Sequence, residues 1–327
     1  MVKNLNICFY KLYYIDFKEK KVFDISVIIC CYNPDLEKLK KTIFSIINQQ
    51  KVSIQIVISD DGSNIKYKDQ IVNWCNRNNI KNIFYNFLTK NVGTVKNILA
   101  AVKCCDSKYV KVISPGDYLF DVNTLSYFLN VSITNKADLI FGDAIYYTGR
   151  NIVQQRATTH SKLLYFDNNL KNIICLYNGY FQGAAFIARK EIYSKILTLY
   201  EDKVKYVEDR AVMYSAFLEN KKVIGLPVPM IWYEFGTGIS TSNTHDERLT
   251  NDLKMIYEVI KNVYPNNILA TKMIKKYKVK TLSKFLKAIY FMIYFPGIYV
   301  YHIKKCFCGY LTYDINIEMQ DRIVTRN

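Results

Sequence analysis

The chain reads as an α/β protein, an open, mostly parallel twisted sheet flanked by helices, with a helical, basic and aromatic extension at its C-terminal end. Three observations predict this. Short apolar runs rich in β-branched residues, such as 24–33 (DISVIICCYN) and 52–59 (VSIQIVIS), have the composition of strands covered on both faces. Stretches of helical periodicity alternate with them, the pattern of a parallel sheet with crossover helices. Beyond residue 246 the pattern stops and Lys and aromatic residues accumulate.

The elements follow in order. After the first strand, Asn33 is expected to cap a helix, with Pro34 in its first position and Asp35 and Glu37 as first-turn acids. Leu36, Leu39, Ile43, Ile46 and Ile47 then recur at helical spacing. The second strand ends at Asp60-Asp61-Gly62-Ser63. A helix near 66–78, a strand near 82–88 and a helix near 94–105 come next, then strand 109–114, a helix near 123–133 and strand 137–147. Residues 150–245 are less regular: a Tyr-, Asn- and Gly-rich loop through Gln182-Gly183, a short strand 184–188, a helix over 190–199, a helix opened by Glu208-Asp209, and the extended run 223–235. The expected division is an N-terminal extension 1–23, a catalytic domain 24–245 and a basic C-terminal region 246–327.

The chain has 327 residues, 50% of them hydrophobic and 22% charged, which excludes a disordered protein. Its net charge of +17 suits nucleic acid, an anionic membrane or a phosphorylated substrate, although Lys-rich composition alone also produces such a value. Nine cysteines without a CxxC pair argue against zinc and against a disulfide framework. The N-terminus makes a poor signal peptide, so a cytoplasmic location is expected.

In a parallel sheet, ligands bind at the carboxyl ends of the strands. Three polar clusters fall there: Tyr32-Asn33, Asp60-Asp61-Gly62-Ser63 and Ser114-Pro115-Gly116-Asp117. Taken singly, Asp60, Asp61 and Asp117 are explained at least as well by turns. Glu208-Asp209 alone fits an acidic first turn that complements the helix dipole, or a general base. Gln182-Gly183 alone is a loop or part of an acceptor site.

Their joint order carries more. SVIICCYN, ISDDGS, Asn91-Val92-Gly93 with Lys96-Asn97 and Ala101, YVKVISPGDYL, GYFQGAAFIARKEIY and VEDRAVMYSAF occur in the sequence of the motifs of the family 2 inverting glycosyltransferases of the GT-A fold, which the chain resembles over about residues 24–240. The resemblance implies a GT-A-like sheet and transfer of a sugar, hexosyl or N-acetylhexosaminyl, from a nucleotide-sugar donor with UDP as the default nucleotide. It implies donor contacts from Tyr32, Asn33, Asp60, Asp61, Lys96 and Asn97, acceptor contacts from Gln182 and Gly183, and Asp209 as the base with Glu208 orienting beside it. One motif departs: where the family has Asp-x-Asp-Asp, this chain has Ser114-Pro115-Gly116-Asp117. Only Asp117 remains to bind the divalent cation, Mn²⁺ or Mg²⁺, that the family implies, so ligation is weaker, shared, or partly replaced by Lys or Arg. A catalytically degenerate scaffold with this fold is the alternative reading.

The tail explains most of the charge. Eleven Lys, no Arg and one acid lie between Lys254 and Lys305, and residues 288–303 carry no formal charge. That stretch is short of the roughly 20 residues of a spanning helix and is broken by Pro296-Gly297. Segment 282–313 is therefore expected to lie on an anionic membrane surface, peripheral or monotopic, at the cytoplasmic face of the inner membrane. A helix packed on the catalytic domain is the plainer reading. The expected acceptor is a lipid-linked saccharide in capsule, exopolysaccharide or O-antigen synthesis. A nucleic-acid partner is not expected, for want of any recognition motif, and no GxxxxGK(S/T) phosphate loop is present.

Overall fold

The computed structural model describes residues 22–325 except 155, 162–164, 166–168, 178, 180, 237–246 and 280–281. The expected N-terminal extension therefore lies almost wholly outside the described residues, as does the expected boundary at 245/246.

Strands β1 (Phe23–Cys31), β2 (Ile54–Asp60), β3 (Ile83–Phe87) and β4 (Ser107–Ile113) run parallel in the order β3-β2-β1-β4. The sheet continues through the antiparallel β9 (Phe186–Arg189) to β6 (Leu139–Thr148), β10 (Val223–Glu234) and the short β5 (Tyr118–Leu119). β7 (Asn151–Gln154) folds back on β6, and β8 (Arg156–Ser161) pairs with β11 (Tyr310–Thr312) in a second, two-stranded sheet. The sheet is thus mixed α/β, curled and flanked by helices, with β9 running against its neighbours.

Strand alternation supplies apolar cores on both faces of the sheet. Ile25, Val27, Ile29, Ile56 and Ile58 face α1 (Leu36–Ile47), α2 (Lys68–Arg77) and α4 (Thr124–Thr134). Ile28, Val57 and Val110 face the opposite layer, built from α3 (Thr94–Val102), α5 (Leu170–Cys175), α6 (Lys190–Thr198) and α7 (Glu208–Leu218). Helices α8 (Glu247–Val263) and α9 (Ile268–Lys278) add Ile256, Val259, Ile260 and Met273 to that same cluster. The chain on either side of residue 245 therefore shares one core. α10 (Lys284–Tyr294) has no buried residue, and α11 (Pro296–Cys308) buries only Ile298 and Tyr301. α12 (Ile317–Val324) returns to α1, where Asn48 Nδ2 donates to the carbonyls of Ile323 (3.0 Å) and Thr325 (2.6 Å).

One expectation about α1 is corrected. Asp35, not Asn33, caps it: Asp35 Oδ1 accepts from the amides of Glu37 (2.9 Å) and Lys38 (3.0 Å). Asn33 instead adopts the left-handed region at φ 46°, which Asn tolerates better than most residues.

Candidate active site

The ends of β1 and β2 are bound together by Asn33. Its amide donates to Ser63 Oγ (2.7 Å), and its Oδ1 accepts from the amides of Asn64 (2.9 Å) and Ile65 (3.3 Å). Tyr32, one residue earlier, stands 51% exposed at the strand end and offers an open ring face. Asp60 is fully buried. Its carboxylate accepts from the Ser63 amide (2.9 Å), the Ser63 hydroxyl and Tyr67 OH (2.9 Å), and pairs with Lys68 Nζ at 2.9 Å. Burial alone would raise its pKa; the bonds from Ser63, Lys68 and Tyr67 outweigh burial and hold it below the usual carboxylate range.

Asp61 serves the next loop. Its two oxygens accept from the amides of Val92 (2.7 Å) and Gly93 (3.0 Å), while burial raises its pKa. Gly62 makes that contact possible. It sits at φ 68°, and a Cβ there would lie 2.2 Å from the Lys90 carbonyl carbon, which is backbone and has nowhere to go. Asn97 holds α3 to β2, its Oδ1 accepting from Ser59 Oγ at 2.6 Å and its Nδ2 donating to Ser59 O at 3.3 Å. The Lys96 ammonium pairs with Asp202 at 3.0 Å, on the wall of a cavity of about 360 Å³ that Lys205, Arg248 and Asp252 also line.

The expected catalytic pair opens α7. The chain is brought to that point by Asp252 on α8, whose buried carboxylate accepts from the amides of Lys205, Tyr206 and Val207. Glu208 and Asp209 are half-buried. Burial, and then the charge of Asp209, raise the pKa of Glu208 well above the carboxylate range; burial also raises Asp209, against the opposing charge of Arg210. In such a pair the first proton to leave makes the second harder to remove. The Cys30 thiol on β1 is raised by burial and then by Glu208, Cys31 and Asp61, which locates the pair at the same sheet edge as the Asp60-Asp61 turn.

Gln182-Gly183 meets this pair directly. Gln182 Oε1 accepts from the Gly183 amide (3.1 Å), capping a single helical turn, Gly183–Ala185. Gly183 packs on Asp209 so closely that a Cβ there would lie 2.2 Å from Asp209 Oδ2. Lys111, buried within β4, donates to Ala184 O at 2.5 Å and anchors the same turn. Desolvation pushes the Lys111 pKa down to about 7.

Asp117, within reach of the Lys111 charge, is also buried. Its Oδ1 accepts from the Glu234 amide (3.1 Å), and burial pushes its pKa up to about 7. Gly116 is pinned by its amide donating to Thr42 Oγ1 (3.1 Å) and by Tyr147 OH donating to its carbonyl (2.5 Å). Beside it, Glu234 Oε1 pairs with Lys38 Nζ at 2.6 Å. These residues do not fit a divalent cation. Asp117 has one oxygen committed to the Glu234 amide and is opposed by the Lys111 charge, Glu234 is already paired with an ammonium, and among the described residues no group of three His, Cys, Asp or Glu side chains could hold a metal.

The structure thus brings Tyr32, Asn33, Asp60 and Asp61 to one rim and joins Gln182-Gly183 to Glu208-Asp209. Lys96 points to Asp202. Lys38, Lys111, Glu234 and Asp252 were not singled out from the sequence. A signal existed for Lys111 and Asp252, since each is a charged residue on the buried face of its element.

The curled α/β sheet gathers its buried carboxylates at the carboxyl ends of its strands. The family model described as Glycosyl transferase family 2 matches residues 26–197, more than half of the 327 residues. The chain belongs to that family and is a glycosyltransferase of GT-A-like fold. Solved structures of Staphylococcus aureus TarS resemble it. Residues 1–349 of that protein align with a TM-score of 0.56 at 20% identity, over 77% of this chain and 69% of that one. The complex of the same fragment with UDP-GlcNAc gives 0.57 at 20% identity over 77% and 70%. The complex with UDP gives 0.56 at 19% identity over 80% and 73%. No curated protein sequence matches the chain.

Proposed function

We propose that this glycosyltransferase moves a sugar from a UDP-linked donor to a hydroxyl of a lipid-linked saccharide, with inversion, in the assembly of a capsule, exopolysaccharide or O-antigen. The observation that carries the reading is the half-buried Asp209 carboxylate, at the head of α7, pressed against Gly183. A sugar hydroxyl is a weak nucleophile and needs a positioned carboxylate to take its proton as the new bond forms. In this reading Asp209 Oδ2 accepts that proton and the hydroxyl oxygen bonds to the anomeric carbon. The bond from that carbon to the diphosphate oxygen breaks on the opposite face, and its electron pair leaves with the nucleoside diphosphate.

Tyr32 then stacks on the base, while Asn33, Asp60 and Asp61 hold the turns that surround the nucleotide. The S. aureus TarS fragment was solved with UDP-GlcNAc and with UDP, which supports a nucleotide-sugar donor here. Glu208, its pKa raised by burial and by the charge of Asp209, stands beside the base and orients it.

α10 and α11 supply the membrane contact in this reading. Among the described residues no helix is long and apolar enough to cross a membrane. Yet Phe285 is 74%, Ile293 65% and Phe307 87% exposed, with Lys284, Lys287, Lys304 and Lys305 at the ends of the two helices. Apolar surface flanked by Lys suits attachment to an anionic leaflet, here the cytoplasmic face of the inner membrane, where each Lys contributes about 1 kcal/mol. The test is a panel of UDP-, GDP- and dTDP-sugars scored for release of the nucleoside diphosphate in the presence of membrane extract. Release from one donor supports transfer; none from any donor supports the inactive-scaffold alternative.

A further inference from the structure

We infer that Lys38, held by Glu234, is the cation that receives the leaving diphosphate, and that this chain works without a divalent metal. The inference rests on the proposed transfer reaction and deepens it. It starts from Gly116, which lacks a side chain where the family has an acid. A Cβ at Gly116 would lie 2.4 Å from Glu234 Oε2 and 3.5 Å from Lys38 Cδ. The space a side chain at 116 would enter is therefore already filled by a carboxylate from the end of β10 and an alkyl stem from the first turn of α1.

The pair differs from a metal site in one decisive respect: it carries its own cation. Lys38 Nζ lies 2.6 Å from Glu234 Oε1. An ammonium has three donors, and among the described residues Glu234 uses one. The Lys38 side chain remains 35% exposed, which leaves its other two donors room to meet a phosphate beside Gly116. Glu234 is itself fixed, its amide donating to Asp117 Oδ1 at 3.1 Å. As the anomeric carbon–oxygen bond breaks, negative charge grows on the departing phosphate oxygen. An ammonium already held beside Gly116 by Glu234 would stabilise it without reorganisation. Among the described residues no three His, Cys, Asp or Glu side chains could hold an ion, and Asp117 is buried with its Oδ1 accepting from the Glu234 amide.

Calorimetry of the full chain with UDP, GDP and dTDP, with EDTA and with excess Mg²⁺ or Mn²⁺, separates the possibilities. The expected result is a nucleotide affinity that EDTA changes by less than about 3-fold. Lys38→Ala should weaken it at least about 10-fold under both conditions, with the thermal melt unchanged. Lys38→Arg should recover part of the loss. Glu234→Gln supplies an independent reading: it leaves the ammonium uncompensated, so affinity in EDTA holds or rises, whereas loss of a metal ligand would lower affinity only when metal is present. Binding that vanishes in EDTA and returns with Mn²⁺, with Lys38→Ala indifferent, would overturn the inference and leave the transferase reading intact. Absence of binding to every nucleoside diphosphate under every condition would overturn both.

Discussion

Gly183→Ala isolates the position of the proposed base from its chemistry. The new methyl would sit 2.2 Å from Asp209 Oδ2 and 2.7 Å from its Cγ, whereas ordinary contact begins at 3.4 Å. The carboxylate must therefore retreat by about 1 Å, the scale of misplacement that costs roughly 100-fold in rate. Asp209 Cβ also lies 2.7 Å from the new methyl and does not move when the side chain rotates, so the carboxylate swings aside and the turn at 183 shifts against the head of α7. Initial rates of nucleoside diphosphate release should fall about 100-fold, or about 2.7 kcal/mol in activation free energy. The donor KM should stay within about 2-fold, because the nucleotide turns at Asp60 and Asp61 are untouched. A melting curve matching the parent is the control for folding. A variant with near-parental turnover would show that Asp209 does not need its position against Gly183, and the base would have to be sought elsewhere.

Other changes test other parts of the account. Glu208→Gln should retain activity within about 10-fold, since Gln mimics the protonated acid. In the parent, the raised Glu208 pKa makes stability fall as pH climbs from the usual carboxylate range through the raised value, by up to about 1.4 kcal/mol per pH unit. Urea melts between pH 5 and 9 should show the variant gaining on the parent toward alkaline pH; parallel profiles would refute the assigned burial. Tyr193→Phe removes a fully buried hydroxyl that has no hydrogen-bond partner among the described residues, and should stabilise by about 1 kcal/mol in the same melts. Joint Phe285→Glu and Ile293→Glu should lower sedimentation with phosphatidylserine vesicles at least 100-fold, because each apolar side chain is worth about 1.5 kcal/mol or more when buried. Unchanged sedimentation would place membrane contact elsewhere.

Local chemistry made much of this architecture readable in advance. The apolar run over 24–33 became Phe23–Cys31, and the periodic positions Leu39, Ile43 and Ile46 all face the core of α1. The meeting of Asp209 with Gln182-Gly183 was suggested by motif order alone, with no local pattern to require it. Features that depend on partners distant in sequence were not readable. Asn33 looked like a helix cap, yet its side chain is spent on the amides of Asn64 and Ile65, across a turn whose shape depends on Gly62 packing against Lys90. Lys38 resembled any exposed helix Lys until β10 delivered Glu234 to it. The C-terminal residues read as one basic tail, but their last part is structural: Tyr313 OH donates to buried Asp143, and Arg150 pairs with Asp321 at 2.7 Å. Truncation from residue 282 would strip these contacts along with the exposed helices, which is why point substitutions in α10 are the better probe of membrane binding.

The most direct test of the central claim compares Asp209→Asn with the parent on whichever nucleotide sugar the parent consumes. The variant keeps the shape of the side chain and the Gly183 contact but lacks a group able to take the acceptor proton. Transfer should fall by at least about 1,000-fold, of the order attributed to a positioned general base, while calorimetric affinity for the nucleoside diphosphate stays within about 3-fold. Transfer by Asp209→Asn at a rate near the parent's would contradict it.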